Sequence, residues 1–431
     1  MRSKVFSVAA QFALCLLVMV FASFPLLAVE NDELPTNFLL GMGKPLHNNN
    51  AGGVNKRGNF PTPHGFPQGV DTLVNFTGHY EAQGVDSNGA PHQMWEYSMV
   101  GNSPDHGGTT TINAPIVAVT MDLRNFDGSP RFVNGQRLIS SAHVFVQPVL
   151  DSPVFSRANF SSSNLPTQIS DAIQKAEFGN QARPDWHTLL NPVVKTERTM
   201  VLIRGTYRFA LNADGTCCRF ILVDANTFVN ALFPPTFIFP PDNSTVIGAA
   251  ERAGDITTKD ISTFLFPNTY LYFNGNPNDC CVLGFHTFDF EPGDANNGNQ
   301  LRFFVANYSS WISPGLFGAA FTDVTAVSHE ISETYNDPFV SFDGLHNQTP
   351  WWLSPNGNCQ NNLEVGDVIE GLPNATYPIT MPNGFTYHPQ NEALLPWFEF
   401  AKNSFAIDNA YSYPDETTLT SLSAPQNVNC L

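Results

Sequence analysis

The stretch Thr322-Asp-Val-Thr-Ala-Val-Ser-His-Glu-Ile-Ser-Glu-Thr-Tyr-Asn336 carries the clearest helical pattern in this chain of 431 residues. Apolar side chains recur at helical spacing, and Pro338 stops the helix just beyond Asp337. The apolar residues predict one buried stripe that packs this helix on the rest of the fold. They are Val324, Val327, Ile331 and Tyr335.

A different face of the predicted helix carries His329, Glu330 and Glu333. His329 and Glu333 are four residues apart, so their side chains leave adjacent turns on the same side. The pattern is that of a His-Glu-x-x-His zinc helix whose second His is replaced by Glu. Two side chains one turn apart can bind one metal ion, and Glu330 would then lie near the metal-bound water as a general base. The alternative is the solvated face of an ordinary helix.

Two further carboxylates follow in Gln360-Asn-Asn-Leu-Glu-Val-Gly-Asp367, where a third ligand is expected to return. Glu364 and Asp367 are the candidates. One His with two or three carboxylates suits Zn²⁺, Mn²⁺, Fe²⁺ or Ca²⁺, and we expect one divalent ion with Zn²⁺ slightly favoured. A carboxylate in place of imidazole adds negative charge to the metal, so the pKa of the bound water rises and hydrolysis at neutral pH becomes harder.

Other polar residues are weaker candidates. His388, in a turn-rich stretch, is a candidate catalytic donor to the transition state or an ordinary loop residue. For His286, which follows a vicinal Cys pair, a structural role is favoured over a place near the metal. Asp337 could orient a ligand or simply end the helix. The run 289–299 gathers oxygen ligands without an EF-hand register, so a solvated turn is favoured over a calcium loop.

The N-terminus is typical of a secretory signal peptide, with basic residues, an apolar run at 5–21 and small residues up to Ala28. A retained membrane anchor is the alternative. The net charge of −18 disfavours nucleic acid as a partner. We therefore expect a secreted or periplasmic protein that has no membrane association after signal cleavage. Six cysteines follow the signal, and disulfides are expected, although fifteen pairings remain open.

Strand-like and helix-like runs predict an α+β fold with a mixed, largely antiparallel β-sheet, a metal-site helix and long loops. Strands are predicted at 116–123, 138–149, 199–211, 220–224, 269–273, 281–288 and 301–306, and helices at 167–178 and 258–264. The predicted divisions are a signal peptide (1–28), an Asn/Gly/Pro-rich N-terminal segment (29–110), a β-rich region with one helix (111–240) and a metal-site domain (241–431). The N-terminal segment could also be a propeptide.

Four runs resemble those of a family of exported bacterial proteins, over about 167–413: Cys280–His286, Val327–Pro338, Asn361–Asp367 and Pro382–Pro389. More distantly, the pairing of His-Glu-x-x-Glu with a later Glu-x-Gly-Asp resembles the plant phosphate-induced, EXORDIUM-like family, where a zincin-like metal site is suspected. The resemblance implies a zincin-like core. It implies His329, Glu333 and Glu364 or Asp367 as metal ligands and Glu330 as base.

The function expected from these features is that of a secreted metal-dependent hydrolase, a zincin-type peptidase acting on a peptide or a cell-surface polymer. The alternative is a non-catalytic extracellular or cell-surface binding protein, in which the same helix holds a structural metal ion. No Gly-x-Ser-x-Gly elbow and no phosphate-binding Gly-rich loop with Lys occurs in the sequence. Serine-hydrolase and nucleotide-dependent chemistry are therefore disfavoured.

Overall fold

The computed structural model describes residues 32–38, 40, 73–81, 94–160, 166–235, 241–291, 302–318, 321–340, 352–357, 359–360 and 363–422. The predicted signal peptide and much of the 29–110 segment lie outside the described residues, as do positions 292–299 of the 289–299 run. The described part is a mixed α and β structure, mostly sheet with few helices.

The strands are β1 (Asn75–Glu81), β2 (Met94–Val100), β3 (Thr109–Arg124), β4 (Phe132–Val133), β5 (Gln136–Arg137), β6 (Ile139–Ser141), β7 (His187–Val194), β8 (Arg198–Ile203), β9 (Tyr207–Leu211), β10 (Cys217–Asp224), β11 (Ser262–Pro267), β12 (Thr269–Tyr272), β13 (Cys280–Val282), β14 (Gly284–Glu291), β15 (Arg302–Phe317), β16 (Phe321–Asp323), β17 (Trp352–Leu353), β18 (Cys359–Gln360), β19 (Ile379–Thr380), β20 (Thr386–Tyr387), β21 (Glu392–Ala393) and β22 (Ser412–Tyr413). The α-helices are α1 (His143–Asp151), α2 (Ile169–Phe178), α3 (Ala225–Leu232), α4 (Val246–Ala253), α5 (Thr325–Asn336) and α6 (Leu395–Phe398). Short 3₁₀ turns lie at Gly179–Gln181 and Ile407–Asn409.

The main sheet has the order β14-β15-β11-β3-β6, with β16 on β15 and with β7 and β8 on β3. Its centre is parallel, because β11 runs parallel to both β15 and β3, and β3 runs parallel to β7 and β8. The expectation of a largely antiparallel sheet is wrong for this centre. Helices α1 and α2 lie between β3 and β7 in the chain, and α3 and α4 lie before β11. Such long crossovers are what parallel neighbours require.

The structure confirms some of the strand and helix predictions and contradicts others. The helix predicted at 167–178 is present as α2, and the strand predicted at 116–123 is the buried centre of β3. The strand predicted at 138–149 is mostly helix α1, because Val146 and Val149, three residues apart, are both buried. The helix predicted at 258–264 is wrong, since β11 begins at Ser262 and is buried along its whole length. A buried strand and a buried helix share the same apolar composition.

Helix α5, the predicted motif helix, packs against β14, β15 and α2. The predicted apolar stripe is confirmed, because all four of its side chains are buried in the core. Each residue stabilises the docking by about 1.5–3 kcal/mol. The opposite side is enclosed as well: every residue of α5 except His329 is buried. The alternative of a solvated polar face is therefore wrong for this helix.

Four of the cysteines form two disulfides, each between neighbours: Cys217–Cys218 and Cys280–Cys281. The main sheet joins strands from both sides of residue 240, where the sequence suggested a division. Among the described residues, no helix is both long enough and apolar enough to cross a membrane.

Candidate metal centre

Gln390 holds His329 and determines which of its ring nitrogens is free. The side-chain nitrogen of Gln390 donates to the carbonyl oxygen of Gly366 at 2.7 Å. Its side-chain oxygen therefore faces His329 Nδ1, at 3.1 Å. Nδ1 must then carry a proton, so Nε2 is the ring nitrogen left to face a metal ion. Proteins commonly orient metal-binding imidazoles through such a partner on the far nitrogen.

The free Nε2 of His329 faces carboxylates from the helix and from the downstream loop. It lies 3.2 Å from Glu333 Oε1 and 3.6 Å from Asp367 Oδ1. It also lies 3.8 Å from Glu330 Oε1. Two ligands bound to one ion at about 2.0–2.1 Å lie about 3.3 Å apart in a tetrahedral site. The side chains are thus spaced as ligands around a common ion would be.

A second imidazole, that of His286 on β14, faces the other oxygen of Glu333. His286 Nδ1 lies 3.2 Å from Glu333 Oε2. It is 3.8 Å from an oxygen of Glu364 and 3.8 Å from Glu330 Oε2. The His286 side chain is only 3% exposed, and the motif helix packs directly on β14. His286, for which the sequence favoured a structural role, is therefore a member of the cluster.

The loop that carries Glu364 and Asp367 returns to the helix because its backbone binds Glu333. The amides of Gly366 and Asp367 donate to Glu333 Oε1 at 3.1 and 3.3 Å. Glu364 faces His286, and Asp367 faces His329. Both carboxylates that the sequence offered as alternatives therefore reach the site. Asp367 is the most accessible of the group, with 37% of its side chain exposed.

Two glycines give the functional side chains their space. A Cβ on Gly284 would lie 2.5 Å from Glu330 Oε1, and a Cβ on Gly366 would lie 2.6 Å from His329 Nδ1. Real Cβ atoms do not approach heavy atoms so closely. Neither glycine has a positive φ. Their role is therefore close approach and not turn formation.

The cluster concentrates carboxyl groups in a largely buried place. The pKa values of Glu364 and Asp367 are both raised well above the usual range of a carboxyl group. Burial is the larger cause, and repulsion from Glu333 adds to it. Burial also raises the pKa of Glu330. Glu333 is the exception. Burial acts to raise its pKa, but the neighbouring His329 and His286 lower the pKa below its usual value. Such an arrangement attracts a cation strongly.

Three groups of buried or half-buried ligands within the described residues could each hold a metal ion, with all ligand atoms of a group within 4.8 Å of one another. Two of them share Glu333: His286 with Glu364, and His329 with Asp367. The third group is separate and consists of carboxylates alone, from Glu251, Asp289 and Glu291.

His388 lies near this centre without joining it. Its Nδ1 pairs with Asp323 Oδ2 at 2.7 Å, and its backbone amide donates to Asp323 Oδ1 at 2.8 Å. Thr325, the first residue of the helix, donates to the His388 carbonyl at 2.7 Å. These contacts attach the strand β20 loop to the start of the helix, so that Gln390, two residues on, meets His329. The predicted catalytic role of His388 stays a prediction.

Comparison of the chain with protein-family models, with curated proteins and with solved structures found no match.

Proposed function

We propose that this protein is an exported metal-dependent hydrolase, with peptides or a cell-surface polymer as substrate and zincin-type chemistry. The observation that supports this proposal is the convergence of His329, Glu333 and Asp367 beside Glu330. The donor set fits a divalent cation, because an imidazole with its far nitrogen held and several carboxylates suits Zn²⁺, Mn²⁺ or Fe²⁺. Zn²⁺ is slightly favoured.

Glu330 is the candidate general base. Its Oε2 is buried and has no hydrogen-bond partner among the described residues. The other oxygen of Glu330 faces His329 Nε2. A divalent ion at this place would polarise the scissile carbonyl and acidify a water molecule. As the oxygen of that water bonds to the carbonyl carbon, Glu330 would take a proton from the water. It would pass this proton to the leaving amine as the carbon–nitrogen bond breaks.

The test compares wild type with Glu330→Gln and His329→Ala, with Glu416→Gln as a matched control outside the site. Bound metal is measured by elemental analysis and cleavage with a broad peptide library. We expect wild type to bind metal and cleave peptides, Glu330→Gln to keep its metal and lose at least about 100-fold in rate, and His329→Ala to bind less metal and to lose cleavage. Wild type that binds no metal would refute the proposal, and wild type that binds metal but cleaves no peptide would refute the peptidase.

One observation favours a second function. Most of the cluster is enclosed, as the 3% exposure of His286 shows, and structural metal sites are closed while catalytic sites keep an open position. A binding protein with a structural ion would lose thermal stability on chelation, and its glycan or peptide binding would survive Glu330→Gln. The 37% exposure of the Asp367 side chain supports the hydrolase, because a catalytic ion needs access to solvent and substrate.

A further inference from the structure

The two carboxylate oxygens of Glu333 face different imidazoles. Glu333 Oε1 lies 3.2 Å from His329 Nε2, and Glu333 Oε2 lies 3.2 Å from His286 Nδ1. We infer that this centre binds two divalent cations, bridged by Glu333. The inference rests on the proposed metal-dependent function and adds to it the number of ions and the ligands of each.

The ligand sets separate into two. One ion would take His286 Nδ1, Glu364 and Glu333 Oε2. The other would take His329 Nε2, Asp367 and Glu333 Oε1. Each set repeats the same composition: one imidazole, one carboxylate of its own and one oxygen of the shared Glu333.

The candidate ligands fall into two groups and not one. Two atoms bound to a single ion at about 2.1 Å are at most about 4.2 Å apart. Among the described residues, however, no group of ligand atoms within 4.8 Å of one another contains both His286 and His329. A single ion would therefore leave one imidazole facing buried carboxylates without a metal.

The enclosure of the carboxylates also favours cations at this place. Glu330, Glu333, Glu364 and Asp367 are gathered in a largely buried cluster, and enclosed carboxylates are costly unless a proton or a cation compensates them. Glu364 is 9% exposed and Glu330 4%.

Glu330 supplies an independent sign of a ligand. Its Oε2 is buried, makes no hydrogen bond within the described residues and lies on the His286 side of the centre, 3.8 Å from Nδ1. Its Oε1 lies 3.8 Å from His329 Nε2 on the other side. Glu330 belongs to neither of the two ligand groups, whereas Glu333 belongs to both, so Glu333 is the bridge and Glu330 lies beside the pair. Ions bridged in this way are about 3.5–4 Å apart and act together on the attacking and leaving groups.

The two positions differ in access. Because the His286 side chain is almost fully buried, its ion would be enclosed and would exchange slowly. The ion at His329 lies beside the exposed Asp367, where substrate would enter. We therefore assign substrate binding to the His329 ion.

The experiment uses the purified full chain, stripped with a chelator and titrated with Mn²⁺. Stoichiometry is read by elemental analysis, and electron paramagnetic resonance detects the magnetic coupling between neighbouring Mn²⁺ ions. We expect two equivalents per chain and a coupled spectrum. A single equivalent, or two equivalents with the spectrum of isolated ions, would overturn the inference.

Variants show where the ions are bound. His286→Ala and Glu333→His should each bind one equivalent without coupling, since an alanine removes one ligand and a neutral imidazole offers one lone pair where the carboxylate offered two oxygens. Glu251→Gln, in the separate acidic group, is the control and should keep both equivalents. Loss of the second ion in Glu251→Gln, with retention in His286→Ala, would overturn the inference. Far-ultraviolet circular dichroism shows that each variant is folded, and the wild-type spectrum alone decides the matter if one is not.

Failure here is distinguishable from failure of the proposed function. If one ion binds and peptide cleavage depends on Glu330, the hydrolase is supported and the second ion is refuted. If two coupled ions bind and no peptide is cleaved, the dinuclear centre is supported and the peptidase is refuted.

Discussion

A single added methyl group at Gly366 should disturb metal binding more than its size suggests. The alanine Cβ would lie 2.6 Å from His329 Nδ1 and 2.7 Å from Cε1. An ordinary contact begins at 3.4 Å, so the imidazole or the loop must move by roughly 0.8 Å. Metal–ligand distances tolerate changes of only about 0.2 Å.

We expect Gly366→Ala to lower metal affinity at His329 by about 10- to 100-fold, or about 1.4–2.7 kcal/mol, as loss of ligand support does. The overpacked loop should also lower the free energy of unfolding by about 1–3 kcal/mol. Competition with a fluorescent zinc chelator measures the affinity, and urea denaturation measures the stability. Gly284→Ala is the matched comparison: its Cβ meets Glu330 and not His329, so it should reduce peptide cleavage more than metal affinity.

A double-mutant cycle separates this contact from general damage to the loop. In a His329→Ala background the ring is absent, so Gly366→Ala should lower the free energy of unfolding by much less than it does in wild type. Wild-type metal affinity in Gly366→Ala, or fully additive losses of stability in the double variant, would refute the reasoning.

Three further predictions concern stability. Ile331→Ala removes a fully buried side chain of the motif helix and should lower the free energy of unfolding by about 2–5 kcal/mol in urea denaturation, whereas a loss below about 1 kcal/mol would contradict the docking role. Burial raises the pKa of Glu399 to about 8; the folded protein then holds a proton that the unfolded chain releases near 4.5, so stability falls as pH rises from about 4.5 to 8. Glu399→Gln should remove this fall and stabilise the protein at pH 8 by on the order of 2 kcal/mol, since partial exposure weakens the full effect, and an unchanged pH profile of the thermal midpoint would contradict it. Chelation should lower the thermal midpoint of wild type by several degrees and that of His329→Ala much less, and equal shifts in both would place the ion elsewhere.

The parts of the centre that follow from local spacing were predictable. His329 and Glu333 are brought together by one helical turn, and the helix itself follows from its apolar stripe and from Pro338. The position of the Glu364 loop could be expected only roughly from the sequence. The backbone amides of Gly366 and Asp367 hold this loop on Glu333, and backbone amides leave no signal in the choice of side chains.

The parts that depend on tertiary pairing were not predictable. His286 reaches the centre through the antiparallel register of β14 on β15, and a strand histidine gives no local sign of what lies opposite. Gln390 reaches His329 because its backbone amide donates to the hydroxyl of Ser328, a contact between residues about sixty positions apart in the chain. A sign of His286 was present in Gly284, two residues earlier on the same face of the strand, since a glycine within a strand often marks a close approach.

The carboxylate at position 333 explains why the motif differs from a His-Glu-x-x-His helix. On a single ion it is a disadvantage, because its negative charge weakens the polarisation of bound water. Between two ions the disadvantage disappears: a carboxylate offers one oxygen to each cation, which a neutral imidazole cannot do, and each ion then receives only part of its charge. The second cation also restores the positive field over the substrate. Position 333, which weakens the motif when it is taken as a mononuclear site, is therefore the residue that a bridged pair requires.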